Sequence, residues 1–225
     1  MPKQNTFSAS VVQQEAECAE RSSAGSLNRE GFARYVEKYA GNPYVKGVRT
    51  VLNDDDRPKG MCLESRFVDN VGLLGRFGMS FDLCMRPGEL IDGVRLMEKC
   101  PATHFVIDHC GCMDVQSTSA KLRAAWEHGM KSAAMHEHVI CKISGLVATA
   151  RPKIWKPSDL EPIVNFCLDT FGEDRVVFGS DWPVCLITAS YRQWVEALAW
   201  IVRGRSPQFR RKLFHDNAVK FYRLS

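Results

Sequence analysis

The stretch Arg175-Val176-Val177-Phe178-Gly179-Ser180-Asp181-Trp182-Pro183 reads as a strand that ends in a carboxylate. Three consecutive apolar residues, Val176 to Phe178, suit a short strand buried on both sides. Gly-Ser-Asp stops the run, and Trp182-Pro183 turns the chain away. Ionised Asp is rarely buried unless it is paired or holds a metal. In parallel α/β proteins, ligands gather at the carboxyl ends of the strands. Asp181 is therefore the first candidate for chemistry; the competing reading is an Asp that caps the following turn.

Upstream of this stretch the same pattern repeats. Runs of β type are expected over Tyr44 to Leu52, Met79 to Met85, His104 to His109 and Val139 to Ser144. Between them lie helices through Phe67 to Leu74, Leu90 to Met97, Trp126 to His136, and Ser158 to Thr170, the last with Ser158 as its expected N-cap. After Asp181 the chain reads as helical, from Tyr191 to Val202 and from Pro207 to Tyr222. Strands alternating with helices at roughly 30-residue spacing are βα units and imply a parallel sheet. No Gly-rich phosphate loop follows any strand, which speaks against a doubly wound nucleotide-binding sheet. A (β/α)8 barrel fits, although it needs eight units in roughly 250 residues, and only five are visible.

At its amino end the chain changes character. Residues 1 to 27 carry no strand pattern; Gln13 to Arg21 suits a short polar helix, and Ser22 to Ser26 a linker. From Asn28, Phe32, Tyr35, Val36 and Tyr39 recur at helical spacing up to Gly41-Asn42-Pro43. The division expected is a divergent segment over 1–27 and a partial barrel domain over 28–225.

Composition bounds the function. With 225 residues the chain can bury a substantial core, and its 45% hydrophobic and 25% charged residues are ordinary for a globular protein. Thirty basic against 26 acidic residues leave a net charge of +4, scattered without aromatic interleaving, which argues against nucleic acid. No apolar run approaches the ~20 residues of a membrane span, and Met1 to Ser10 has no apolar signal region. Nine cysteines are many, yet Cys84, Cys141 and Cys167 sit in apolar runs, and Cys110-Gly111-Cys112 has no second pair spaced to complete a zinc site. A reducing, cytoplasmic compartment is the expectation.

The polar groups at the strand ends are Arg49, Asp82, Arg86, Asp108, His109, Lys142, Ser144 and Asp181. A His and an Asp on separate strands can bind a metal or share acid–base work. Arg49 and Arg86 suit a carboxylate or polarised carbonyl, and Lys142 offers a point charge. Ideal strand alternation forbids Asp108 and His109 from both facing the mouth, so the alternative for Asp108 is simply to orient its neighbour. Arg86, before Pro87-Gly88, also reads as a plain loop residue, and Lys142 as a partner within the barrel wall.

With those residues in view, the sequence resembles the amidohydrolase-related superfamily, and within it the metal-dependent TIM-barrel hydrolases that include sugar-acid lactonases. The matching segments are Val45 to Arg49, Phe81-Asp82-Leu83, Phe105 to His109 with Gly111, Cys141 to Leu146, Arg175 to Val184, and the closing Lys212 to Tyr222. The resemblance implies a barrel mouth that hydrolyses a cyclic ester or related bond in a small-molecule substrate. It implies Asp181 as base toward water or metal ligand, and His109 as the group that polarises the carbonyl or assists proton transfer, with a further role as metal ligand beside Asp181. Arg49, Asp82, Lys142 and Arg86 would bind substrate. The cofactor would be a divalent metal such as zinc, or none, since members differ.

The family's first-strand His-x-His pair has no counterpart before Arg49; the sequence places His136-Glu137-His138 in a helix-to-strand connection. Counted back from Asp181, the visible strands are four to eight, so the expectation is a barrel incomplete by three strands. Exposed sheet edges then invite pairing into a homo-oligomer. The alternative to a hydrolase is an inactive fragment or an interaction protein that keeps the carboxyl-terminal part of the barrel.

Overall fold

The computed structural model describes Leu27 and residues 31–224. The expected polar helix over 13–21, the linker over 22–26 and the helix start at 28 lie outside the described residues. From Phe32 onward helices and strands alternate regularly: α1 (Phe32–Glu37), β1 (Gly47–Leu52), α2 (Ser65–Arg76), β2 (Ser80–Met85), α3 (Leu90–Lys99), β3 (His104–Ile107), α4 (Ala120–Ala134), β4 (Val139–Ile143), α5 (Pro157–Phe171), β5 (Val176–Phe178) and α6 (Tyr191–Ile201). The carboxyl-terminal helical run is α7 (Pro207–Arg211), a π-helical turn (Lys212–Asp216) and α8 (Asn217–Tyr222).

All strand pairs are parallel, and the sheet order is β1-β2-β3-β4-β5. Strand order follows chain order without reversal, whereas a doubly wound sheet reverses at its ligand crevice. Period-two alternation gives the sheet two unlike faces. Val48, Phe81, Leu83, Phe105, Ile107, Val139, Cys141, Ile143 and Val176 belong to the main core together with the helices. Phe67, Phe81 and Phe105 meet edge to face there, with ring centroids 5.8 and 6.0 Å apart, a favoured aromatic geometry. On the other face Val106, Ile140 and Val177 form a separate small cluster with Tyr222 of α8. Asn217 ties that helix down by donating to the carbonyl of Val176 at 2.7 Å.

Element limits shift where local chemistry overrides the pattern. β3 and β5 stop at Ile107 and Phe178, short of His109 and Ser180, because the chain leaves the sheet early. Ser158 does not cap α5: Asp159 accepts from the Lys156 amide at 2.8 Å and closes the first turn instead. Ser190 caps α6, with its hydroxyl accepting from the Gln193 amide and the Gln193 side chain from the Ser190 amide, a reciprocal capping box. Among the described residues no helix is long and apolar enough to cross a membrane.

A cavity of about 410 Å³ opens at the amino-terminal ends of the strands, lined by Lys46, His104, His138, Arg175, Lys220 and Tyr222 among others. It lies at the opposite end of the sheet from the residues singled out by sequence.

Candidate active site

Strand register assembles the site. Arg49 pairs with Asp82, and Asp82 with Val106; two residues further along the chain come Cys84, still in β2, and Asp108, just past the end of β3. Val106 pairs with Ile140, and Lys142 with Val177. The face that carries Val106, Ile140 and Val177 therefore also carries Arg49, Asp82, Cys84, Asp108 and Lys142, concentrated toward the carboxyl-terminal ends. Lys142 Nζ lies 2.7 Å from Asp82 Oδ2 and 2.6 Å from Asp108 Oδ1, bridging both carboxylates. Arg49 Nη1 stands 3.8 Å from Asp108 Oδ2. Asp108 has no solvent exposure, and Arg49 and Lys142 are buried with it.

Strand alternation predicts that His109 faces away from Asp108. The structure corrects this, because β3 has already ended. His109 has φ 52, in the left-handed region that non-glycine residues seldom enter, and this conformation brings its ring back over the mouth. His109 Nδ1 lies 2.9 Å from Ser144 Oγ, and Nε2 lies 3.8 Å from Asp181 Oδ1. Gly145 makes this possible: its φ is 72, and a Cβ there would sit 2.7 Å from the His109 ring. The turn is braced below, where Trp126 Nε1 donates to the Cys110 carbonyl at 2.8 Å. Asp181 is also left-handed, at φ 53, and the Gly179 carbonyl that precedes it accepts from Trp194 Nε1 at 3.0 Å. Backbone strain of this kind persists only where surrounding packing over-determines it, and it gathers at functional sites. The turn after Asp181 is closed by the backbone, with the Cys185 amide donating to the Asp181 carbonyl at 2.8 Å. That leaves the carboxylate facing His109.

Electrostatics separate the carboxylates. Burial alone would raise the Asp108 carboxyl, yet Lys142, His109 and Arg49 together hold it below the usual carboxylate range. For Asp82 burial prevails over Lys142 and the shift is upward. Asp181 is also raised, chiefly by burial, with His109 opposing. Burial opposes the charged form of His109, but the Cys84 thiol, Asp108 and Asp181 raise its pKa from 6.5 to about 9. Lys142 is raised well above its ordinary value: burial disfavours its charge, and Asp108 and Asp82 more than compensate. At neutral pH the shift of His109 favours the imidazolium, which faces the Asp181 carboxyl group. At 3.8 Å the two are too far apart for a mutual hydrogen bond, and one oxygen between them can touch both.

Of the residues expected from sequence, Asp181, His109, Arg49, Asp82 and Lys142 come together. Arg86 is differently engaged. Its guanidinium pairs with Glu89 at 2.7 and 2.9 Å and donates to the carbonyls of Asp54 and Arg57, so it braces the loop after β1. Two participants had no expected role. Ser144 was visible at its strand end, but nothing in the sequence joined it to His109. Cys84 sits in an apolar run, although its spacing of two from Asp82 puts it on the polar face.

The donor set suits a divalent ion. Two ligands about 2.1 Å from a tetrahedral zinc lie roughly 3.4 Å apart, close to the 3.8 Å between His109 Nε2 and Asp181 Oδ1. Ligand atoms of Cys84, Asp108 and His109 lie within 4.8 Å of one another. These three, with Asp181 beside His109, are the residues able to hold such an ion.

Known proteins with similar sequences agree in kind. A family model described as amidohydrolase matches residues 4–224. The chain is 30% identical over 198 residues to an L-fucono-1,5-lactonase of Burkholderia ambifaria, an alignment covering 84% of this chain and 65% of that one. An L-fucono-1,5-lactonase of Burkholderia multivorans is 29% identical, with 88% and 69% covered. The chain thus spans just under two thirds of the first relative's length. Among solved structures, an amidohydrolase from Burkholderia multivorans with bound zinc superposes with a TM-score of 0.80 at 29% identity, covering 89% of this chain and 72% of that one.

Proposed function

The chain belongs to the amidohydrolase family, and on that premise we propose that it hydrolyses a sugar-acid lactone at the carboxyl-terminal ends of its strands. The observation that carries this reading is the opposition of Asp181 and His109 across 3.8 Å, with His109 anchored through Ser144. Asp181 takes a proton from water as the water oxygen bonds to the lactone carbonyl carbon. His109, held as imidazolium, donates from Nε2 toward the carbonyl oxygen and then toward the ring oxygen as the acyl C–O bond breaks. Arg49 and Lys142 supply positive charge for the developing oxyanion and the product carboxylate. A bound divalent metal would instead supply Lewis-acid polarisation and a more acidic water; neutral His109, with Cys84, Asp108 and Asp181 around it, would hold the ion, and the metal would then take the place of the imidazolium as the group that polarises the carbonyl.

The five sequential parallel strands are read as consecutive strands of a (β/α)8 barrel, with β5 as the last. A further segment or a second copy of the chain would then cover the free edges of β1 and β5. The eight described cysteines are all free, which supports a reducing, cytoplasmic setting. An inert remnant that binds a partner is the competing reading.

The test is hydrolysis of a panel of sugar-acid lactones by purified protein, chelated and then resupplied with zinc. Turnover of at least one lactone is expected. A folded, zinc-supplied sample that turns over none of them contradicts the proposal.

A further inference from the structure

Outside the mouth, three cysteines from three different elements meet on the helix side of the sheet. Cys110 comes from the turn after β3, Cys141 from β4 and Cys167 from α5. All three are fully buried, and their sulfurs all lie within 4.8 Å of one another. None is in a disulfide. We propose that Cys110, Cys141 and Cys167 form a binding site for one monovalent thiophilic metal ion, with Cu(I) as the chemical type.

The geometry favours this class over others. Three sulfurs about 2.3 Å from one ion are about 4 Å apart when trigonal, so each sulfur needs to move by less than about an ångström. Among the described residues no His, Asp or Glu joins this group of three, so a tetrahedral zinc site finds no fourth protein ligand there. Cu(I) takes soft thiolate ligands and does not require four. Core packing by itself accounts for buried cysteines, since a free Cys is a good small hydrophobe. It accounts less well for Cys110, a non-glycine residue held at φ 53 beside Gly111 at φ 68. Gly111 is itself confined, because a Cβ there would meet Met130 Sδ at 2.8 Å and Trp126 Nε1 at 2.9 Å. Helix packing thus holds the turn in a strained form that delivers the Cys110 sulfur to the other two. Binding is ligand exchange without redox change: each thiol that coordinates as thiolate releases one proton to solvent, and affinity rises with pH accordingly.

The site is separable from the lactonase reading and from the nearby Cys84 and Cys112, whose sulfurs are 3.8 Å apart. The experiment adds Cu(I), as a weak complex and without oxygen, to the full chain and to a C84S/C112S variant. Binding is followed by competition with a chromophoric chelator, and the coordination by X-ray absorption. One tightly held equivalent with three sulfur neighbours is expected in both proteins. Cys141→Ser and, independently, Cys167→Ala in the C84S/C112S background are expected to lower affinity by at least the ~100-fold that loss of a supporting group can reach. Circular dichroism selects whichever variant is folded. Absence of a tight equivalent, a nitrogen or two-sulfur shell, or binding untouched by the folded triad variant each overturns the proposal.

Discussion

The two ends of this sheet are built for different things. At the amino-terminal end lies the roomy cavity of about 410 Å³, lined by Lys46, His104, His138 and Lys220. At the carboxyl-terminal end Arg49, Asp82, Asp108 and Lys142 are packed within a few ångströms, Asp181 faces His109 at 3.8 Å, and the backbone is bent into left-handed conformations at His109, Cys110, Cys112 and Asp181. Open volume marks one end, and buried charge with backbone strain marks the other. Strain and unequal pKa shifts are what chemistry requires, and volume alone is not. At the cavity end Lys46 Nζ donates to the Arg223 carbonyl at 3.2 Å.

The contrast can be broken most forcefully at Lys142. Lys142→Met leaves Asp82 and Asp108 buried without their shared cation, and breaking a buried pair costs about 3–5 kcal/mol. Urea unfolding measures this, and a loss under about 1 kcal/mol would mean that Arg49 alone suffices.

The next effect in size concerns pH. His109 holds in the folded state a proton that the unfolded chain releases near 6.5, so its contribution is fully present below that pH. It is lost as pH rises through about 9, at most about 3 kcal/mol by linkage. Stability of the wild type should therefore decline between pH 6.5 and 9 more steeply than that of His109→Gln. Parallel slopes for the two proteins would show that His109 is not protonated in the fold. Turnover without metal should fall on the same basic limb, since the imidazolium is the proton donor.

Ser144→Ala is smaller again. It removes one hydrogen bond to the ring, worth about 1 kcal/mol, and should lower kcat by up to about tenfold while shifting the basic limb; an unchanged limb would make Ser144 a packing residue only. At the far end His138→Ala is expected to leave turnover unchanged, since its half-buried ring packs on Phe105 at the opposite end of the sheet from Asp181.

Much of this architecture was legible beforehand, for reasons that lie in period and spacing. Apolar runs such as Phe105-Val106-Ile107 and Val139 to Ile143 marked the strands, and polar residues at their ends marked Arg49, Asp82, Lys142 and Asp181. Three things were not legible. The left-handed turn at His109 depends on Gly145 and Trp126, residues 36 and 17 positions away (145−109, 126−109), and alternation pointed the ring the wrong way. Arg86 bonds to Glu89 and to carbonyls of a loop that no local pattern specifies. The meeting of Cys110, Cys141 and Cys167 is a product of how α5 packs on β4, which spacing in the chain does not encode.

The central claim is that chemistry belongs to the strained, charged end of the sheet. Its most direct test is kcat/KM on a lactone that the wild type hydrolyses, measured for Asp181→Asn beside His138→Ala. A drop of at least ~100-fold for Asp181→Asn, the scale of a lost general base, with His138→Ala within about twofold of wild type, is the predicted result. Undiminished turnover in a folded Asp181→Asn protein, or a comparable loss in His138→Ala, would contradict it.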